Sequence, residues 1–249
     1  MKRLLYPCLL AAAVTGMLPA SALAASFDAG LTVSLDQFPA PIVNTFGYAV
    51  LNNANLSPTL AEAFGNASAS ATTSTSVYNA GVLTFTAGPV SGGASPLFGY
   101  AWAESGGESQ TINLGNLTGS GGPTPPARVL TEAFHGIYSF FIDATSGPGE
   151  TAAAWVGFDI LDQTTNTILF DFDEAVSVAN GGSASDSLIN VAFNFDVSIP
   201  ANSIEKIRID PIAGGTADVP EPATLSIVAM GLAVLALGRR RDKAGRGAL

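Results

Sequence analysis

The stretch LINVAFNFDVSIP, residues 188–200, decides the fold class, because its side chains alternate between apolar and polar along most of its length. Successive side chains of a β-strand point to opposite faces, so this period predicts a strand with one buried and one hydrated face. The apolar positions are Ile189, Val191, Phe193, Phe195, Val197 and Ile199, and the polar positions are Asn190, Asn194, Asp196 and Ser198.

Two segments upstream show the same alternation. In AWVGFDILD, residues 154–162, the predicted buried positions are Val156, Phe158 and Ile160, opposite Trp155, Asp159 and Leu161. In TILFDFDE, residues 167–174, the predicted buried positions are Ile168, Phe170 and Phe172, opposite Asp171 and Asp173. The polar link DQTTNT between them has the length and composition of a hairpin turn.

Shorter candidate strands lie along the rest of the chain: GLTVSLD, TFGYAVLN, GVLTFTAG, LFGYAWAE, SQTINLG, GIYSFFID and SIEKIRIDPI. Glycine, proline, asparagine and serine clusters separate them, and no segment has the period of an amphipathic helix. The sequence therefore predicts one all-β domain, residues 25–218, folded as an antiparallel, jelly-roll-like β-sandwich, with a barrel as the alternative. Residues 66–76 are either an edge strand or a solvated loop, and residues 116–129 form a long loop.

The first 24 residues have the layout of a secretory signal peptide. Lys2 and Arg3 precede an apolar stretch, and Ala22-Leu23-Ala24 is a small-x-small cleavage site. A membrane anchor is the alternative, but the apolar stretch is short for a span and contains Pro19. The chain's single cysteine, Cys8, lies in this segment, so disulfides and thiolate chemistry are excluded from the mature protein.

The body between the two terminal segments is strongly acidic. From residue 25 to residue 219 it contains 3 Lys and Arg against 18 Asp and Glu, a net charge of −15. Such a charge repels phosphate backbones, so nucleic-acid binding is excluded.

The C-terminus has three parts, VPEP at residues 219–222, an uncharged apolar run at residues 223–238, and a basic tail at residues 239–249. A helix of 16 residues spans about 24 Å, less than the roughly 30 Å of a bilayer's hydrocarbon core. The basic block, which begins with Arg239, Arg240 and Arg241, should stay in the cytoplasm and leave the acidic body outside. A permanent tail anchor, with Pro-Glu-Pro as a linker, is the alternative.

This tail resembles the PEP-CTERM sorting signal of exported proteins, through Val219, Pro220, Glu221 and Pro222, the apolar run and the arginine block. The resemblance implies transient insertion in the inner membrane and processing by an exosortase near the Pro-Glu-Pro motif. It also implies a Gram-negative source that makes exopolysaccharide and lives in biofilms or flocs. The two prolines should keep the segment extended and accessible to the peptidase.

Two groups of residues are candidates for a binding site. Asp171, Asp173 and Glu174 offer the oxygen ligands that calcium prefers, although a solvated acidic face is the more ordinary explanation. Trp102, Trp155 and Tyr100 are candidates for stacking on a glycan, although aromatic residues more often pack in or around a core. No other cofactor is expected.

The sequence contains no recognisable catalytic motif. Its single histidine, His135, follows Glu132 by three residues, but no G-x-S-x-G elbow accompanies it. We therefore expect an exported, non-enzymatic structural or adhesive protein of the cell surface or extracellular matrix. A lectin-like carbohydrate-binding module, calcium-assisted or not, is the first alternative, and a polysaccharide-acting enzyme is the second.

Overall fold

The computed structural model describes residues 25–36, 46–55, 59–73, 75–79, 82–106, 109–116, 128–220 and 230–231. The described residues form eleven strands: β1 (Ala25–Asp36), β2 (Phe46–Asn55), β3 (Thr59–Ala71), β4 (Thr75–Asn79), β5 (Val82–Gly106), β6 (Ser109–Asn116), β7 (Leu130–Ser146), β8 (Thr151–Asp162), β9 (Thr167–Ala179), β10 (Gly182–Ile199) and β11 (Ser203–Val219). Every ladder is antiparallel, so the predicted fold class is confirmed. The predicted signal peptide and most of the loop at residues 116–129 lie outside the described residues.

The strands make two layers that share β5. The first sheet has the order β10-β7-β1-β5, using the first half of β5. The second has the order β9-β8-β11-β5, using the second half of β5, and β6 and β2 extend it beside the first half of β11. β3 and β4 pair with the outer edge of β5. The two layers pack face to face, β1 on β11 and β7 on β8, and form a nearly closed sandwich.

β5 unites two segments that the sequence presents as separate strands, GVLTFTAG and LFGYAWAE. The glycine-rich and serine-rich link between them has the composition of a loop, yet it continues the ladder. Residues up to Ala94 pair with β1, and residues from Gly99 pair with β11. The link is therefore the corner at which the strand passes from one sheet to the other, which is a known use of glycine within strands.

The core contains the apolar positions that alternation predicts, with two exceptions. Ile189 is 78% exposed because Ile189 and Asn190 together oppose Ser139, and this β-bulge turns Ile189 outward. Ile168 is 58% exposed because a register shift in β9 gives its inward place to Leu169. The predictions that Ile189 and Ile168 are buried were wrong for this reason.

An aromatic cluster closes the side of the sandwich between β9 and β10, where the described residues form no hydrogen-bonded ladder. Phe158 lies at its centre, with ring centroids 5.3–5.8 Å from those of four neighbouring rings. These neighbours are Tyr138, Phe170, Phe172 and Phe193. Aromatic packing therefore holds β9 against β10 at this edge, whereas hydrogen-bonded ladders hold neighbouring strands together elsewhere in the two sheets.

Candidate functional site

The last strand of the body runs into the predicted sorting motif. Val219 pairs with Gly99 of β5, and its side chain is only 5% exposed. Pro220, which has no amide hydrogen to continue the ladder, is the first exposed residue after the strand. The predicted boundary between residues 218 and 219 thus falls inside β11, and the first motif residue is also part of the folded body.

Most of the predicted tail lies outside the described residues, including Glu221, Pro222 and the arginines Arg239, Arg240 and Arg241. Met230 and Gly231, within the predicted apolar run, are helical. Across the parts of the chain that the structure describes, no helix has the length and apolarity needed to span a bilayer.

The three aromatic residues predicted to stack on a glycan lie on the outer face of the second sheet, which we call the aromatic face: Tyr100, Trp102 and Trp155. Tyr100 and Trp102 are two residues apart on β5, so their side chains share a side. Trp155 of β8 and Glu104 of β5 both lie opposite Gly214 of β11, which places Trp155 on the same side. The fold therefore brings together residues separated by about fifty positions in sequence.

Gly214 allows the indole of Trp155 to lie against the sheet. A Cβ atom at residue 214 would be 2.5 Å from two carbon atoms of the indole, so any larger residue would displace the ring. The indole is half-buried, with part of its surface open to solvent. The role of Gly214 was not predicted from the sequence, although a glycine inside a strand is a signal of close approach.

Carboxylates flank the aromatic face. Glu62 of β3 lies opposite Trp102, and Asp218 of β11 lies opposite Tyr100. Both are exposed. Aromatic faces stack on the apolar faces of sugar rings, and carboxylates accept hydrogen bonds from hydroxyl groups, so this surface has the chemistry to bind a polysaccharide.

The three predicted calcium ligands are divided between the two faces of β9. Asp171 and Asp173 are exposed on the outer face, as alternation predicts. Glu174 points inward, towards Tyr138. Burial raises the pKa of Tyr138, and the negative charge of Glu174 raises it further. Among the described residues, no group of three or more His, Asp or Glu side chains is placed to hold a metal ion. Calcium binding by these residues stays a prediction.

A row of aspartates crosses the second sheet beside the aromatic face. Asp159 lies directly opposite Asp171 on one side and Asp210 on the other. Burial raises the pKa of Asp210, Asp159 raises it further, and an ion pair with Arg208 opposes both effects. Like charges placed directly opposite destabilise a sheet, so this row lowers stability at neutral pH.

His135, the single histidine of the sequence, lies apart from Glu132. It is exposed on the outer face of β7, with Asp36 and Asn194 opposite it on the neighbouring strands. Glu132 lies three residues from His135 on the same strand, so its side chain points to the opposite face of the sheet. Burial raises the pKa of the Glu132 carboxyl group. The Glu132–His135 arrangement considered from the sequence is therefore not formed.

An apolar groove of about 480 Å³ on the outer face of the first sheet is a feature that the sequence did not reveal. It lies between two bulges at one level of the sheet. Gly88 and Pro89 oppose Gly30 on one flank, and the bulge at Ile189 forms the other. The ring of Phe141 covers Gly30 between them.

Comparison with known proteins identifies the C-terminus. The PEP-CTERM protein-sorting motif is found at residues 218–241, which confirms the resemblance in the tail. No curated protein and no solved structure matches the chain. The motif marks an exported protein that an exosortase sorts to the cell envelope or surface.

Proposed function

We propose that this protein is a non-enzymatic structural or adhesive component of the cell surface or extracellular matrix. The observation that supports this most is the direct continuation of the last strand of the β-sandwich into the sorting motif at Val219. A domain of this design presents broad, fixed faces, and its two sheets suit contact with a neighbouring polymer. The resemblance of the tail to the PEP-CTERM sorting signal favours exopolysaccharide, in a biofilm or floc, as that polymer.

The delivery step is tested by measuring the mass of both termini of the mature protein, in cells with and without the exosortase. We expect the mature protein to begin at Ala25 and, in competent cells, to end at or shortly after Val219. Cleavage before Val219 would remove a residue of β11, so the folded body should protect that bond. An intact C-terminus in competent cells would contradict the proposal.

A second candidate, carbohydrate binding by the aromatic face, is favoured by the Trp155 indole lying over Gly214 with part of its surface open. Stacking on the sugar would be the main contribution of Trp155, and Glu62 and Asp218 would accept hydrogen bonds from hydroxyl groups. In this case adhesion and glycan binding are one activity of one surface.

Retention of the mature protein on the producer's own exopolysaccharide tests whether the aromatic face carries the binding. If the aromatic face binds glycan, Trp155→Ala should abolish retention, because it removes the stacking surface. Ile168→Ala, an exposed apolar truncation on the outer side of the same sheet, is the matched control and should leave retention unchanged. Equal retention of Trp155→Ala and the unmodified protein would rule out this face.

A further inference from the structure

Both ends of the body lie at one end of the sandwich. Ser26, next to the first residue of β1, pairs with Thr145 of β7, and Asp218 pairs with Thr151 of β8. Only the short turn at residues 147–150 separates Ser146, the last residue of β7, from Thr151. We call this the terminal end, and define it by Ala25, Val219 and the turn at residues 147–150.

Hydrogen bonds connect the two turns at the terminal end. The buried carboxylate of Glu150 accepts a hydrogen bond from the amide of Gly147 at 2.7 Å. The carbonyl group of Glu150 accepts another from the amide of Asn180, at 2.9 Å, in the turn between β9 and β10. The second of these bonds joins the turn at residues 147–150 to the turn between β9 and β10, beside the last strand.

No linker separates the body from the tail. Val219 is in the ladder, and the uncharged run begins at Ala223. Four residues span at most about 14 Å even when fully extended. If the run enters a bilayer, the terminal end must lie within that distance of the point of entry.

Exposed aromatic side chains lie at this end. Phe64 of β3 is 70% exposed, and Tyr100, directly opposite it on β5, is 39% exposed. Tyr100 is itself opposite Asp218, the residue before Val219. Because neighbouring strands are about 4.8 Å apart, Phe64 lies about 10 Å from the strand that leads into the tail. The ring of Phe98 packs edge-to-face against the ring of Phe64, with 5.7 Å between the two ring centroids.

We propose that Phe64 and Tyr100 contact the headgroup layer of the bilayer that holds the uncut tail, and so orient the body on the membrane before processing. Aromatic side chains favour this layer, which is about 5–7 Å thick on each side of the hydrocarbon core. The nearby carboxylates Asp218 and Glu62 disfavour anionic lipid, so the partner is a zwitterionic phospholipid surface. This inference rests on the delivery step proposed above, in which the tail inserts in the inner membrane as the resemblance to the sorting signal implies.

The test uses the full chain carrying Cys8→Ala, which has no other cysteine, in nanodiscs of zwitterionic phospholipid. An environment-sensitive fluorophore is attached to a single cysteine in each of three variants, Phe64→Cys, Leu60→Cys and Thr165→Cys. Leu60 lies farther from the terminal end on β3, and Thr165 lies in the turn at the opposite end of the sandwich. All three residues are exposed, so the labels should not disturb the core.

We expect blue-shifted emission and strong quenching by headgroup-quencher lipid at position 64, weaker quenching at position 60 and none at position 165. Exosortase cleavage should return position 64 to the emission of an aqueous label. Aqueous emission at position 64 before cleavage would overturn the proposal, as would equal quenching at all three positions. Processing is measured separately by mass, so a failed contact and a failed sorting step give different results.

Discussion

At the scale of single residues, two adjacent glycines let one strand accept a large ring on each face. Gly214 lies under the indole of Trp155 on the outside, and Gly215 lies under the ring of Phe27 in the core. The alternating strand pattern predicted where Trp155 points, but not that the strand beside it would leave room for a flat ring. That information lies on β11, about sixty residues away.

Replacing Gly214 by alanine should displace the indole, because the added Cβ atom would lie 2.5 Å from its ring carbons. We expect red-shifted tryptophan fluorescence from greater hydration of Trp155, and weaker retention on glycan if the aromatic face binds it. Gly182→Ala, at a position where a Cβ meets nothing within 4 Å, is the control. Unchanged fluorescence in Gly214→Ala would contradict this account of the ring.

The pair Asp28 and Asp143 gives a pH-dependent prediction. The two residues lie opposite each other on β1 and β7. Burial raises the pKa of Asp28, an amide hydrogen bond from Ala29 lowers it, and Asp143 raises it. A raised carboxyl pKa means that Asp28 binds its proton more tightly in the folded state than in the unfolded state. The stability that protonation of Asp28 contributes is therefore present at low pH and is lost as the pH rises through the folded-state pKa.

Asp143→Asn should therefore stabilise the protein at pH 7 by about 0.5 kcal/mol, because it removes the cross-strand repulsion. The gain should shrink as the pH falls and be absent at about pH 2.5, where Asp28 is protonated in both states. Urea unfolding at the two pH values measures the difference. A gain of equal size at both would show that the effect is not electrostatic.

At the scale of elements, the strands were easier to predict than their irregularities. Alternation identified β8, β9 and β10 and the hairpin turn at residues 163–166, where the Asp162 carboxylate accepts amide hydrogen bonds from Thr164 and Thr165. It failed at Ile168 and Ile189, because a bulge depends on how two strands match, and one strand's sequence does not contain that match. The corner of β5 was missed for a related reason, since its composition is that of a loop.

The aromatic cluster makes the edge between β9 and β10 sensitive to truncation. Phe158→Ala should cost about 3–5 kcal/mol, because it removes a fully buried ring that contacts four others. Phe158→Leu should cost less, since it keeps most of the apolar volume. Urea unfolding measures both, and a cost below about 1 kcal/mol for alanine would show that the edge is held in another way.

At the scale of the whole molecule, the net charge of −15 that the body carries between residues 25 and 219 should make its stability depend on salt. Sodium chloride at about 0.15 M should raise the unfolding temperature, because it screens repulsion between exposed carboxylates. Calcium at equal ionic strength should add nothing further if the outer face of β9 is simply solvated. An additional rise that Asp171→Asn removes would instead support the calcium site.

The place of β11 in the fold affects the order of events during export. It is the last strand of the body, yet it pairs with β5, β6 and β8 in the middle of the second sheet. A chain that crosses the membrane N-terminus first cannot complete the second sheet until Val219 has crossed. The tail follows Val219 directly in the sequence. The whole body must therefore cross before the domain can finish folding. If the tail halts in the bilayer, as the resemblance to the sorting signal implies, the last steps of folding take place while the polypeptide is still attached to the membrane.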